Sequence, residues 1–241
     1  MQLKFIGVGS AYNPNMGNCN AYFAIEDSLF LIDCGETTFE KIFNLPIYIS
    51  CQHIIVIITH MHADHIGSLG SLISYSHYVL NKEITIAYPL ETLSYFLDLI
   101  GIDRNAYRFI KIRLGQLNNL NCNILIEPII VDHVPDMTCF GYIISTKDYS
   151  IYFSGDANSI PEYILNKLKS GQLDKIFQDT TTKITSHPTH ATLSYLKESI
   201  PLELRSRVYC MHLDSNYKII TDEGFNIVSI DVTVKRAPFL K

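Results

Sequence analysis

Four residues able to ligate a metal, His60, His62, Asp64 and His65, fall within six consecutive positions of the segment Thr59-His60-Met61-His62-Ala63-Asp64-His65. Imidazole and carboxylate together suit a divalent cation, zinc first, with manganese or iron where carboxylates share the coordination. Burying polar groups this densely without a charge to organise them would be costly, so the run reads as part of a metal centre. The rest must come from elsewhere in the chain, and His133, Asp156 and His212 all stand where apolar stretches end. Together these seven candidate ligands exceed what one tetrahedral ion uses, and two divalent ions are expected.

Ligands need rigid supports. Ile54 to Ile58 is apolar at every position, so as a strand it must be covered on both faces, and the ligand run then leaves its C-terminal end as a loop. Before it, Leu3 to Val8, Tyr22 to Ile25 and Leu29 to Ile32 read as antiparallel strands, followed by a helix over Glu36 to Asn44. After it come a helix over Ile66 to Leu80, a strand over Ile84 to Ala87 and a helix over Leu90 to Ile100. The second half repeats the style, with strands at Ile124 to Val131, Phe140 to Ser145 and Ser150 to Phe153, the last two joined as a hairpin through Lys147-Asp148. Pro161 opens a helix to about Lys169, and strand Lys175 to Gln178, helix Ala191 to Ser199 and strand Val208 to Met211 follow. Two groups of strands, each with helices, predict an α/β architecture of two sheets packed face to face with helices outside.

No Pro/Gly/Ser-rich stretch or charge run divides the 241 residues, and 47% hydrophobic content suffices for one core, so a single domain over 1–241 is expected. The net charge of −5 argues against a broad basic face for long nucleic acid. Small anions remain suitable substrates, because cations inside a site outweigh the surface charge. Cys19, Cys34, Cys51, Cys122, Cys139 and Cys210 form no CxxC pair and mostly adjoin apolar residues, which predicts buried, reduced thiols. No signal peptide precedes the first strand and no apolar run reaches the ~18 residues of a membrane span, so a cytoplasmic protein is expected.

The chain resembles the metallo-β-lactamase superfamily, whose αββα sandwich carries a His-x-His-x-Asp-His run at a strand edge. Beyond His60 to His65 the resemblance covers Leu31-Ile32-Asp33-Cys34-Gly35-Glu36, His133, Ser154-Gly155-Asp156 and Met211-His212, in the family's order. It implies that His60, His62 and His133 hold one metal, that Asp64, His65 and His212 hold the other, and that Asp156 bridges them. Asp33 would lie behind the ligands and orient the ligand loop. Two such ions lower the pKa of a shared water to near neutrality and neutralise the oxygens of a phosphoryl group under attack. Gly7-Val8-Gly9-Ser10 reads as a tight turn that lets backbone approach the site.

Substrate class must come from the surroundings. Asp64 immediately before His65, the Phe140-Gly141-Tyr142 stretch, and Phe177-Gln178-Asp179-Thr180-Thr181 followed by Ser186-His187-Pro188-Thr189-His190-Ala191-Thr192 are similar to the ribonuclease Z branch. In that branch an acidic residue and a later histidine assist departure of the leaving oxygen, which puts Asp179 and His190 in those roles, with His187 as the rival acid and Asp64 as the carboxylate on the second metal. The helix expected at Ala191 would also offer backbone N–H groups to phosphate. The tRNA-processing members carry a long arm between the third and fourth motifs, and His133 stands too close to Asp156 for one. The pattern is instead similar to small cyclic-nucleotide phosphodiesterases, including the anti-Pycsar enzymes that degrade cyclic pyrimidine mononucleotides. That resemblance implies a small nucleotide substrate, an immune-evasion role and a homodimer. Tyr12, Tyr75 and Tyr107 are candidate base-stacking residues, with core packing the plainer reading. The rival functions are a ribonuclease Z-like RNA 3′-processing endonuclease, a relative that binds a nucleotide without cleaving it, and a lactonase or thioesterase.

Overall fold

A computed structural model describes residues 1–115, 118–120, 123–183 and 188–235. The chain divides into two compact units, one comprising residues 1–11, 16–112 and the segment from 229 onward, the other residues 12–15 and 113–228.

The first unit contains a six-stranded sheet whose order follows the chain: β1 (Lys4–Phe5), β2 (Ala21–Ile25), β3 (Ser28–Ile32), β4 (His53–Ile57), β5 (Ile84–Tyr88) and β6 (Arg108–Lys111). β1 to β3 pair antiparallel, as predicted, and Phe23 stacks on its cross-strand partner Phe30 with centroids 4.8 Å apart. From β3 to β6 the pairing is parallel, and parallel neighbours require crossovers. These are α1 (Thr38–Ile42) with α2 (Pro46–Ser50), α3 (Ala63–Ile66) with α4 (Leu69–Tyr78), and α5 (Thr92–Leu99). Ile54 to Ile58 are all buried, so the apolar run is covered on both faces as its composition demanded.

Two helices differ from expectation for identifiable reasons. The segment from Ile66 to Leu80 is not one helix: α3 ends and α4 begins around Gly67-Ser68. The Ser68 hydroxyl donates to Gly35 O and accepts Phe39 N–H, while its own N–H donates to Cys34 O, and these tertiary bonds replace helical continuity. The helix expected over Glu36 to Asn44 is confined to α1, and Pro46 then opens α2, which the sequence reading lacked. Strand β6 was also unanticipated, since Arg108 and Lys111 flank only two apolar residues.

The second unit contains a seven-stranded sheet of β7 (Asn118–Asn119), β8 (Leu125–Val131), β9 (Cys139–Ser145), β10 (Ser150–Phe153), β11 (Lys175–Asp179), β12 (Val208–Met211) and β13 (Asn226–Ile227), in the order β13-β12-β11-β10-β9-β8-β7. β7 to β10 pair antiparallel, including the predicted β9–β10 hairpin, and β10 to β13 pair parallel. The helices of this unit are α6 (Glu162–Lys169), α7 (Leu193–Ser199) and α8 (Ile219–Asp222). α7 starts two residues later than predicted because Thr192 is extended and caps it, its hydroxyl accepting Tyr195 N–H at 3.1 Å. The chain itself thus supplies acceptors for two N–H groups of this helix start, Tyr195 N–H to Thr192 and Leu193 N–H to Thr181 O. The parallel strands β10, β11 and β12 place their C-terminal ends side by side, which is where α/β sheets present ligand-binding side chains.

Among the described residues Cys19, Cys34, Cys51, Cys139 and Cys210 are buried thiols, as expected, whereas Cys122 lies outside them. No described helix is long and apolar enough to cross a membrane.

Candidate active site

In the first unit the ligand run leaves the C-terminal end of β4. Thr59 to His62 form a loop, but the chain turns helical at Ala63, so Asp64 and His65 ride on α3 rather than in the loop that the sequence suggested. The polar atoms converge: His60 Nε2 lies 2.9 Å from His62 Nδ1, and His65 Nε2 lies 3.2 Å from Asp64 Oδ2. Separations of this order are those of ligand atoms that share a cation about 2 Å away. His60, Asp64 and His65 are buried and His62 is half-buried.

Asp33 organises this run. It follows β3 with a φ of 65°, a left-handed conformation that a non-glycine residue keeps only when its surroundings over-determine it. Three contacts do so. The Thr59 N–H donates to Oδ1 at 2.7 Å, the Thr59 hydroxyl to Oδ2 at 2.8 Å, and His65 Nδ1 lies 2.8 Å from Oδ2. An imidazole that gives its Nδ1 proton to a carboxylate has its ring orientation set and its Nε2 lone pair available as the ligand atom. Burial pushes the Asp33 carboxyl up, opposed by the charge and hydrogen bond of His65 and by the bonds from Thr59. Thr59 also places its hydroxyl 3.0 Å from His60 Nδ1, so one threonine links the supporting carboxylate to two imidazoles.

Asn20 and Gly35 complete the support, and the sequence reading singled out neither for it. Asn20 is fully buried; its Oδ1 accepts Gly35 N–H at 2.6 Å and the Thr38 hydroxyl, and its Nδ2 donates to Asp64 O at 3.2 Å. A buried asparagine leaves no periodic signal in a sequence. Gly35 lies within the Leu31 to Glu36 motif, and a Cβ there would stand 1.9 Å from Asp64 O. Gly35→Ala is therefore expected to destabilise the protein by about 1–3 kcal/mol through overpacking and to displace the Asp64 turn. Thermal unfolding together with metal content checks this, and a variant of wild-type stability and metal content would contradict it. At Gly7 a Cβ would lie 2.3 Å from Asn18 O, a close approach to neighbouring backbone rather than to the ligand run.

In the second unit Asp156 stands at the centre. His133 donates from Nδ1 to Thr189 O at 2.8 Å and thereby turns Nε2 to within 3.7 Å of Asp156 Oδ2. Burial lowers the His133 pKa and favours the neutral form that coordination requires. His212 follows β12 with a φ of 56°, a second strained strand end, and sets Nε2 3.4 Å from Asp156 Oδ2 and Nδ1 3.4 Å from Asp179 Oδ1. Ligand atoms of Asp156, Asp179, His190 and His212 all lie within 4.8 Å of one another. The donors in each unit are imidazoles and carboxylates, several with their second ring nitrogen fixed by a hydrogen bond, and this set fits divalent cations.

His190 and Asp179 form a distinct couple within this cluster. His190 Nδ1 is 2.6 Å from Asp179 Oδ2, which also accepts Ala157 N–H at 3.1 Å. Burial alone would favour neutral His190, but the charge and hydrogen bond of Asp179, aided by Asp156, outweigh it and raise the pKa. The side chain of His190 is 28% exposed, against 3% for His133 and His212, so it is the most accessible of the described imidazoles in this unit. The rival acid His187 lies outside the described residues. Of the candidate aromatics, Tyr107 is buried and Tyr75 packs in a cluster with Phe39, Phe43 and Tyr48, while Tyr12 is 95% exposed.

A sequence profile of the family described as anti-Pycsar protein Apyc1 matches residues 1–228. The chain belongs to this family. An Apyc1 protein from Saccharibacillus brassicae is 26% identical over 226 residues, covering 90% of this chain and 91% of the relative. Ribonuclease Z of Pediococcus pentosaceus is 29% identical over 159 residues, which cover 62% of this chain and 50% of that enzyme. Among solved structures YhfI from Bacillus subtilis, a metallo-β-lactamase fold protein, superposes with a TM-score of 0.73 at 16% identity over 95% of both chains. The fold is thus the metallo-β-lactamase fold predicted from the ligand run, and this Apyc1-family member is a metal-dependent phosphodiesterase of small cyclic nucleotides.

Proposed function

We propose that this Apyc1-family phosphodiesterase hydrolyses a cyclic mononucleotide of the cCMP or cUMP type, using two divalent ions, zinc foremost, and so removes a cyclic-pyrimidine immune signal. His60, His62 and His133 would hold one ion, Asp64, His65 and His212 the other, and Asp156 both. Such ions supply a nucleophile at neutral pH and neutralise phosphoryl oxygens. Everything else falls to the chain. Asp33 holds Thr59 and His65 in place, and Asp179 fixes the His190 ring through Nδ1, which leaves Nε2–H as the proton for the departing ribose oxygen. The observation that carries this reading is the 2.6 Å His190–Asp179 couple with its half-buried, solvent-reachable imidazole. We propose further that the two units act as a single domain in a cytoplasmic homodimer, and that zinc is replaceable by manganese.

Incubating the purified protein with cCMP, cUMP, cyclic dinucleotides and a tRNA precursor, with zinc and with manganese, tests the reading. Cyclic mononucleotides are expected to be consumed. Their turnover should vary little with salt, whereas an enzyme gripping many phosphates of an RNA weakens steeply as salt rises. The likeness to ribonuclease Z supports the second reading, an RNA 3′-processing endonuclease. Salt-sensitive tRNA trimming without cyclic-nucleotide turnover would establish that one instead.

A further inference from the structure

We infer that Asp214 is a positioning residue for the acid couple, a clamp that holds His190 against Asp179; the inference rests on the proposed role of His190. Asp214 is buried, 6% exposed, on the loop that follows His212. Its carboxylate is nearly saturated with donors. Thr182 N–H reaches Oδ2 at 2.7 Å and the Thr182 hydroxyl Oδ1 at 2.7 Å, the Thr181 hydroxyl reaches Oδ2 at 2.9 Å, and Asn216 N–H reaches Oδ1 at 3.0 Å. Charge-assisted bonds of this kind are about twice as strong as neutral ones.

The segment that they hold is the one His190 depends on. Thr181 N–H donates to Ala191 O at 2.8 Å, Leu193 N–H donates to Thr181 O at 2.9 Å, and Thr181 and Thr192 form an isolated parallel bridge. Fixing Thr181 therefore fixes the chain immediately after His190, two residues beyond Asp179 on the same extended stretch. His212 has separate support, because β12 is paired with β11 and Thr180 N–H donates to Met211 O at 3.0 Å. The clamp thus acts on the couple rather than on the strands.

Asp214→Asn keeps the shape but replaces one acceptor oxygen with an amide donor, which cannot receive the Thr182 and Thr181 donors. Turnover of cCMP should fall on the order of 10²-fold, as for a misplacement near 1 Å, with KM little changed. Hydrolysis of bis(p-nitrophenyl) phosphate, whose leaving group needs no acid, should stay within about threefold, and metal content should be unchanged. In a His190→Ala background the same substitution should cost nothing more on cCMP, since both changes remove one unit. Independently of any substrate, hydrogen exchange should quicken over 181–183 and 191–193 while 176–178 and 208–211 stay protected. Quickened exchange without selective loss on cCMP would overturn the positioning role if His190→Ala is itself selective for cCMP, and the acid role of His190 if it is not. Unchanged exchange, equal losses on both substrates with metal lost, or a further loss in the His190→Ala background would overturn the clamp. Should Asp214→Asn fail to fold, Thr182→Val, which removes one donor only, is expected to give a smaller selective loss of the same sign, and its absence would count equally against the proposal.

Discussion

His190→Ala should lose on the order of 10²–10⁴-fold in turnover of a cyclic nucleotide while keeping both metals and most of its activity on bis(p-nitrophenyl) phosphate. The difference lies in the leaving groups. A ribose alkoxide needs a proton as it departs, and p-nitrophenolate does not, so removing an acid penalises the first substrate and spares the second. Structurally the prediction stands on the 2.6 Å contact with Asp179 and on His190 being the most accessible member of its cluster. His187→Ala is the matched comparison and should lose less on the cyclic nucleotide. Equal losses on both substrates after His190→Ala would mean that His190 binds phosphoryl oxygens, and greater selectivity in the His187 variant would move the acid role there.

Asp156→Ala should be more damaging than Asp33→Ala, abolishing activity and reducing bound metal below the two ions per chain expected of the wild type. Asp156 lies within 4 Å of three imidazoles, His133, His190 and His212, so its loss strips the cluster of its central charge. Asp33 acts on ligands through the second ring nitrogen, and removing such a group typically costs 10–100-fold. Elemental analysis of both variants and of the wild type, before and after chelation and metal return, checks the order. A wild-type stoichiometry that stays at one after metal is added back would refute the two-ion reading, and an Asp33 variant worse than the Asp156 variant would reverse the assigned roles.

The run His60 to His65 was legible because its four candidate ligands fall within six consecutive positions, so that no fold was needed to bring them together. Ile54 to Ile58 was legible because a strand covered on both faces must be apolar throughout, and it is. Asp156, Asp179 and His212 could be read as strand ends, and they stand on or just after β10, β11 and β12. The split between α3 and α4 could not be read, since it depends on Ser68 finding Gly35 and Phe39 across the fold. Nor could the bridge between Thr181 and Thr192 be read, because it joins two segments that only the fold brings together.

By itself, then, the sequence determined which residues are candidates to bind metal and which strands carry them. Residue type and local spacing suffice for that, because coordination chemistry and hydrophobic periodicity are local properties. Only the tertiary structure decided how the ligands are held. Asn20 on Asp64, Gly35 against the Asp64 carbonyl, Thr59 and His65 on Asp33, and Asp214 on the threonines after Asp179 are all contacts between residues separated in the chain. A buried hydrogen bond depends on which groups the fold places within 3 Å of one another, and no pattern along the chain encodes that distance.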